Sequence, residues 1–341
     1  MFSSNNFALS CMMSKQHIVT LGWGTGSLML LQWLKQHSDH IDISTILAMA
    51  DDGGSTWRMR KEFHMPAFGW DFRDALVGLS DNDHLANIFM HRFNQGTELK
   101  GHSVGNLILL GLWEATGGDI TKALEIAHEV LRVQWRVVPS TTDMIDLICT
   151  YDDGTVLSSQ NAIDNTWGQA GKRIINTKLS PTPLAYPEAI SLLRQADKII
   201  MWPWDLYSNV IANILVEGIA DAISSSWAEV IYVCNLMTKY NQTHNFTTVD
   251  FIEELKKYLG CYPSTVIVNN DFSPLGIDIA QYSEEQRQMV RDTTTDNVPY
   301  RVIRDKVWLE GKEFRRVASD VVPRSFIRHD PQKLAEIIVG V

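Results

Sequence analysis

The chain has 341 residues, 45% hydrophobic and 21% charged, enough for one large or two smaller globular domains whose core needs no staple. Acidic residues outnumber basic ones, 40 to 30, for a net charge of -10, which speaks against a nucleic-acid partner and against an anionic membrane surface. No apolar run approaches membrane-spanning length, and the four cysteines (Cys11, Cys149, Cys234, Cys261) form no CxxC pair and have no His at zinc spacing, so buried thiols in a reducing cytoplasm are expected.

Met1–Met13 is polar, Asn/Ser-rich and free of Lys and Arg, so it makes a poor signal peptide. Residues 1–14 read as a disordered tail, or as a consequence of a start placed upstream of Met12 or Met13. His17–Leu21 is a short buried strand followed by the glycine-rich turn Gly22-Trp23-Gly24-Thr25-Gly26 and a helix over Ser27–Gln36. A second strand, Ser44–Ala50, ends on Asp51-Asp52-Gly53-Gly54-Ser55-Thr56. Helices are predicted at Phe72–Leu79, Leu85–Phe93, Ser103–Thr116 and Ile120–Leu131. Leu147–Tyr151 and Thr155–Leu157 flank Asp152-Asp153-Gly154 as a hairpin, and Ile174–Leu179 is another strand, so a small β-rich insertion is expected near residues 140–180.

The strand–helix rhythm then returns. Lys198–Met201 ends at Trp202-Pro203-Trp204-Asp205, and Val230–Asn235 runs into Leu236-Met237-Thr238. Thr247–Tyr258 is a helix capped by Thr247 or Thr248 and stopped by Gly260; Thr265–Asn269 is a strand and Pro331–Val339 the last helix. Strands alternating with helices predict an α/β fold, a doubly wound, mostly parallel sheet with right-handed crossovers, over residues 15–341.

In such sheets ligands bind outside the carboxyl ends of the strands. A glycine turn there lets phosphate oxygens approach backbone N–H groups at a helix N-terminus. Gly22 to Ser27 fits that need, with Gly24, Thr25 and Gly26 as phosphate contacts, although a tight turn needs the same glycines. Asp51, Asp52, Gly53, Gly54 and Ser55 could hold a ribose hydroxyl or Mg²⁺, or form an Asx turn and a helix cap. Arg58 and Arg73 are candidate phosphate clamps beside Asp71 and Asp74, against the alternative of ordinary salt bridges. His102 is a candidate base or ligand contact, and Ser103 a contact or merely a cap, with Asn106 after it. Asn235 and Thr238 are candidate contacts at a strand end, and Arg328 is a further candidate ahead of the last helix. The catalytic candidates are Asp51, Asp52 and His102, and Asp51 or Asp52 would hold any Mg²⁺.

Taken together, Gly22–Ser27, ADDGGSTWRMR at Ala50–Arg60, DFRDALVGL at Asp71–Leu79, GHSVGNL at Gly101–Leu107, RVVPS at Arg136–Ser140, PWDLYSN at Pro203–Asn209 and VCNLMT at Val233–Thr238 resemble the CofD-like/YvcK family, the UPF0052 or gluconeogenesis-factor proteins. The resemblance implies a Rossmann-like fold, a nucleotide ligand, and site residues that include Arg136, Pro203, Asp205, Tyr207, Ser208, Asn209 and Met237. Its YvcK branch, which CNLMT resembles, is associated with UDP-sugar binding, cell shape and growth on gluconeogenic carbon. Its other branch transfers a phospholactyl group from a guanosine-linked donor to a deazaflavin. Self-association is left open.

The chain departs from the family pattern where Trp23, Trp33, Trp57, Trp70, Trp135, Trp202 and Trp204 stand in place of glycine. Indole bulk fills space that phosphate needs, and glycine often supplies a positive φ that Trp resists. A gene whose UGA codons mean glycine, translated with UGA as tryptophan, produces this signature, and Trp113, Trp167, Trp227 and Trp308 would fall under the same account. A degenerate, non-binding pocket is the alternative.

Overall fold

The computed structural model describes residues 15–23, 27–165, 171–271, 288–309 and 327–340. The expected tail at 1–14 and the turn residues Gly24, Thr25 and Gly26 lie outside them.

Seven parallel strands form the main sheet in the order β10-β9-β8-β7-β1-β2-β3. These are β1 Gln16–Leu21, β2 Ile41–Leu47, β3 Arg136–Pro139, β7 Lys198–Met201, β8 Glu229–Val233, β9 Thr265–Asn269 and β10 Arg301–Asp305. The central strands are buried along nearly their whole length, as a sheet covered on both faces requires. The chain steps outward from β1 through β2 to β3, then returns to place β7 on the other side of β1. The boundary between β1 and β7 is therefore the switch point at which α/β sheets open a ligand crevice.

The helices are α1 Ser27–Lys35, α2 Gly54–Phe63, α3 Trp70–Gly78, α4 Asp83–Met90, α5 Val104–Ala115, α6 Ile120–Leu131, α7 Gln160–Asn165, α8 Pro187–Gln195, α9 Ala212–Ile214, α10 Ile219–Ser224, α11 Thr248–Leu259 and α12 Pro331–Val339. Helix α1 packs on α3 and α12, and α10 packs on α8 and α11. Between β3 and β7 the chain builds a three-stranded antiparallel sheet, β5-β4-β6, from β4 Asp146–Tyr151, β5 Val156–Ser158 and β6 Ile174–Ser180. This is the expected β-rich insertion. Gly154, at φ 84°, turns its hairpin. Helix α11 is closed at one end by a reciprocal cap between Thr247 and Asp250 and at the other by Gly260 at φ 82°.

Several elements carry weak local signals. Strand β3 is four residues long and ends in proline, and β10, RVIRD, is an edge strand with two exposed arginines. The segment Leu206–Ile211 after β7 is π-helical, a geometry frequent at functional sites. Among the described residues no helix is long and apolar enough to cross a membrane.

Candidate functional site

The first strand-end loop is pinned from across the switch point. Gly22 sits at φ 92°, and a Cβ there would lie 3.4 Å from Asn209 Oδ1, so backbone angle rather than space demands glycine. The Trp23 backbone N–H donates to Asn209 Oδ1 at 2.6 Å, and the Asn213 side chain donates to the Asn209 carbonyl at 3.0 Å. Asn209 thus positions the loop from the π-helical segment, whose extra residue per turn aims it there. Ser208 beside it is buried with an unpartnered hydroxyl, as is Ser27 at the start of α1.

The second loop gathers carboxylates. Asp51 Oδ1 accepts the Gly53 N–H at 3.0 Å, the expected Asx turn, while its carbonyl accepts from Arg60. Gly54 and Ser55 open α2, and no side-chain cap precedes them. Burial raises the Asp51 carboxyl above its ordinary range; Gly53 and Thr56 pull it down, and Asp52 pushes it further up. Asp71, at the start of α3, is driven well above its ordinary range by burial, then by the charges of Asp51 and Asp74 against Arg73, with Asp205 adding to the rise. The charges of Asp51, Asp74 and Asp205 thus all bear on Asp71. Asp52 serves otherwise: its Oδ1 accepts the Asn161 N–H at 2.6 Å, and it also binds the Ser159 hydroxyl. Among the described residues no group of three or more His, Cys, Asp and Glu side chains is arranged to hold a metal. The chain's own donors fit Mg²⁺ only as an ion shared with ligand phosphates.

Of the two arginines expected to clamp phosphate, Arg73 is fully engaged within the fold and Arg58 only in part. Arg73 is 2% exposed; its Nε and Nη2 bind Asp74 at 2.9 and 2.5 Å, and its Nη1 binds Ser103 Oγ at 2.7 Å and Asn106 Oδ1 at 3.1 Å. A guanidinium held this way braces the core between α3 and the start of α5. Arg58 donates to the Lys100 carbonyl. Arg136 opens β3 level with Ser44, midway along β2, and pairs with Glu188, so the structure does not bring it to the strand ends. Ser103 caps α5, accepting the Asn106 N–H. His102 is buried beside Arg58 and Arg92; burial lowers its pKa first, and those two charges lower it further.

At the ends of β7 and β8, Pro203 is buried and Asp205 meets Lys239, whose Nζ lies 2.8 Å from Asp205 Oδ2 and 2.7 Å from Asp164 Oδ1. Burial alone would lower the Lys239 pKa, but the two carboxylates outweigh it and hold the ammonium charged. Tyr207 is fully buried with its hydroxyl on the Ile174 carbonyl. Asn235 binds the Trp204 carbonyl and the Tyr232 hydroxyl, and Met237 and Thr238 pair with residues 288–289. Arg328 pairs through its carbonyl with Leu309, and its neighbour His329 reaches the Cys234 carbonyl at 3.1 Å beside Trp202. Lys239, Asn241, Gln242 and His329 were missed by sequence reasoning. The polar run directly after Thr238 and the His next to Arg328 were the available signals.

The tryptophans are accommodated in mixed ways. None of those described has a positive φ, so the backbone does not demand glycine at them. Trp23 and Trp308 are buried, yet their indole N–H groups, like that of Trp113, find no partner. The Arg73 and Arg92 guanidinium groups both lie over the Trp70 ring, at 5.2 and 5.3 Å from its centroid, and Trp227 is fully exposed. Trp167 lies outside the described residues.

The chain's relatives agree with this architecture. It is 35% identical over 329 residues to the gluconeogenesis factor of Bacillus subtilis, covering 96% of this chain and 98% of that one. It is 35% identical over 281 residues to the gluconeogenesis factor of Halalkalibacterium halodurans, covering 82% and 84%. A crystal structure of a UPF0052 family member from Bacillus halodurans superposes with a TM-score of 0.83 at 32% identity, covering 96% of this chain and 99% of that one. The family model described as 2-phospho-L-lactate transferase CofD matches residues 18–308. With that match across most of its length, and the parallel sheet to go with it, the chain belongs to the CofD family and groups with its gluconeogenesis-factor members.

Proposed function

We propose that the chain is a cytoplasmic regulatory protein that binds a nucleotide sugar, with a UDP-sugar as the ligand class, in the crevice at the carboxyl ends of β1, β2, β7 and β8. Its role would be that of a gluconeogenesis factor acting on carbon metabolism and cell shape. The observation that carries this reading is the set of buried polar atoms without partners near the strand ends: Ser27 and Ser208 hydroxyls, the Asn106 amide nitrogen, the Ser140 hydroxyl after β3 and the Gln242 amide oxygen after β8. Each costs about 1–3 kcal/mol if left bare. A polar ligand that reached any of them would offset that cost. The closely coupled carboxyls of Asp51 and Asp71 favour a phosphate that arrives with a divalent cation.

Calorimetric titration of UDP-N-acetylglucosamine tests the reading, in the tryptophan chain and in a chain with glycine at 23, 57, 70, 135, 202 and 204. Binding by the glycine chain alone supports both the pocket and the decoding account. Binding by neither removes the UDP-sugar. The second reading, a phospholactyl transferase, is supported by the description of the matching family model. Turnover of a phospholactyl-guanosine donor with a deazaflavin acceptor would establish it.

A further inference from the structure

Helix α7 belongs to the inserted sheet, packing on β4 and β5, yet it is also fastened to strand-end loops of the main sheet. At its first turn the Asn161 N–H donates to Asp52, a partner from the loop after β2. Ser159, just before it, is held at φ 86°, a left-handed conformation rare for serine, with its hydroxyl on the same carboxylate. At its last turn Asp164 is bound by Lys239, which also binds Asp205 after β7. The Asn241 side chain donates to the Ile163 and Asp164 carbonyls, at 2.5 and 2.9 Å.

Its anchors are the loop after β2 on one side and, through Lys239, the loops after β8 and β7 on the other, so α7 ties strand-end loops on both sides of the switch point between β1 and β7. The chemistry at its far end is specific. Gln242 donates to Asp164 Oδ1 at 2.6 Å, and Gln160 also donates to that carboxylate. Both glutamines are left with a buried amide oxygen that accepts from nothing. Gln242 is 1% exposed. Acceptors in that state call for hydroxyl or N–H donors.

We propose that α7 roofs the crevice over the switch point and that Gln160 and Gln242, at its Asp164 end, form a subsite for the hydroxyl-bearing group beyond the phosphates. This rests on the crevice being a nucleotide site. Asp52 and Lys239 are positioning residues for the roof.

The test compares UDP with UDP-N-acetylglucosamine in full-length protein, in whichever of the two chains above binds UDP. Gln160→Leu and Gln242→Leu are expected to weaken the sugar nucleotide about tenfold each and to leave UDP unchanged, the retained UDP affinity proving the fold. Hydrogen exchange at 160–165 is expected to slow with UDP-N-acetylglucosamine, and to quicken without ligand in Asp52→Ala and Lys239→Ala. Equal loss of both ligands, no loss of either, or exchange at 160–165 indifferent to bound ligand overturns the proposal while the nucleotide reading stands. Failure of both ligands to bind either chain sinks the two together.

Discussion

Replacing Arg73 by methionine separates a core brace from a ligand contact. The guanidinium is 2% exposed and satisfies Asp74, Ser103 and Asn106 at once, with Gly105 so close that a Cβ there would lie 2.8 Å from the Arg73 methylenes. Methionine keeps much of the volume but leaves the Asp74 carboxylate, 4% exposed, without its counter-charge. Removing one partner of a buried ion pair costs about 3–5 kcal/mol. The carboxylate is the larger part of that loss, so Arg73→Met with Asp74→Leu is expected to recover more than half of it. Arg73→Lys replaces a five-donor fork by a point charge and is expected to fall between wild type and Arg73→Met. Urea unfolding reads all three as shifts of the midpoint at constant slope. A loss below about 1 kcal/mol for Arg73→Met, accompanied by lost nucleotide affinity, would refute the brace and restore Arg73 as a phosphate clamp.

Three further outcomes follow from the same geometry. Burial lowers the His329 pKa to about 4, so the unfolded chain, titrating at the ordinary value of 6.5, binds the proton first. Stability is therefore full above that value and falls as pH drops from 6.5 towards 4; an unfolding series over that range should be flatter in His329→Gln, and equal slopes would disprove the assignment. Burial pushes the Cys149 and Cys234 thiols up to about 12, so iodoacetamide at pH 8 should leave both unmodified in the native protein and label both in urea; native labelling at the unfolded rate would contradict their burial. Peptide mass spectrometry on protein from the source organism should find glycine at positions 23, 57 and 204, and tryptophan at all three would end the decoding account.

What the amino-acid order determined alone was local. The strand–glycine–helix start at Gly22, the Thr247 cap and Gly260 stop of α11, and the Gly154 hairpin each depend on neighbours a few residues apart, where backbone angles and side-chain reach decide the outcome. Motif order carried the family and the parallel sheet in the same way, because periodicity is written along the chain. Some elements were not legible along the chain: four-residue β3 and six-residue α7 exist because the sheet and the strand-end loops hold them, and ten-residue α2 and nine-residue α8 also escaped. Partnership was decided only by folding. Nothing near Asp52 in sequence announces Asn161, nor does anything near Trp23 announce Asn209, 186 residues away. Arg73 looked free to bind phosphate until Ser103 and Asn106 arrived from another helix to occupy it. A side chain's chemistry is local, but whether its hydrogen bonds are already spent depends on what the fold brings beside it.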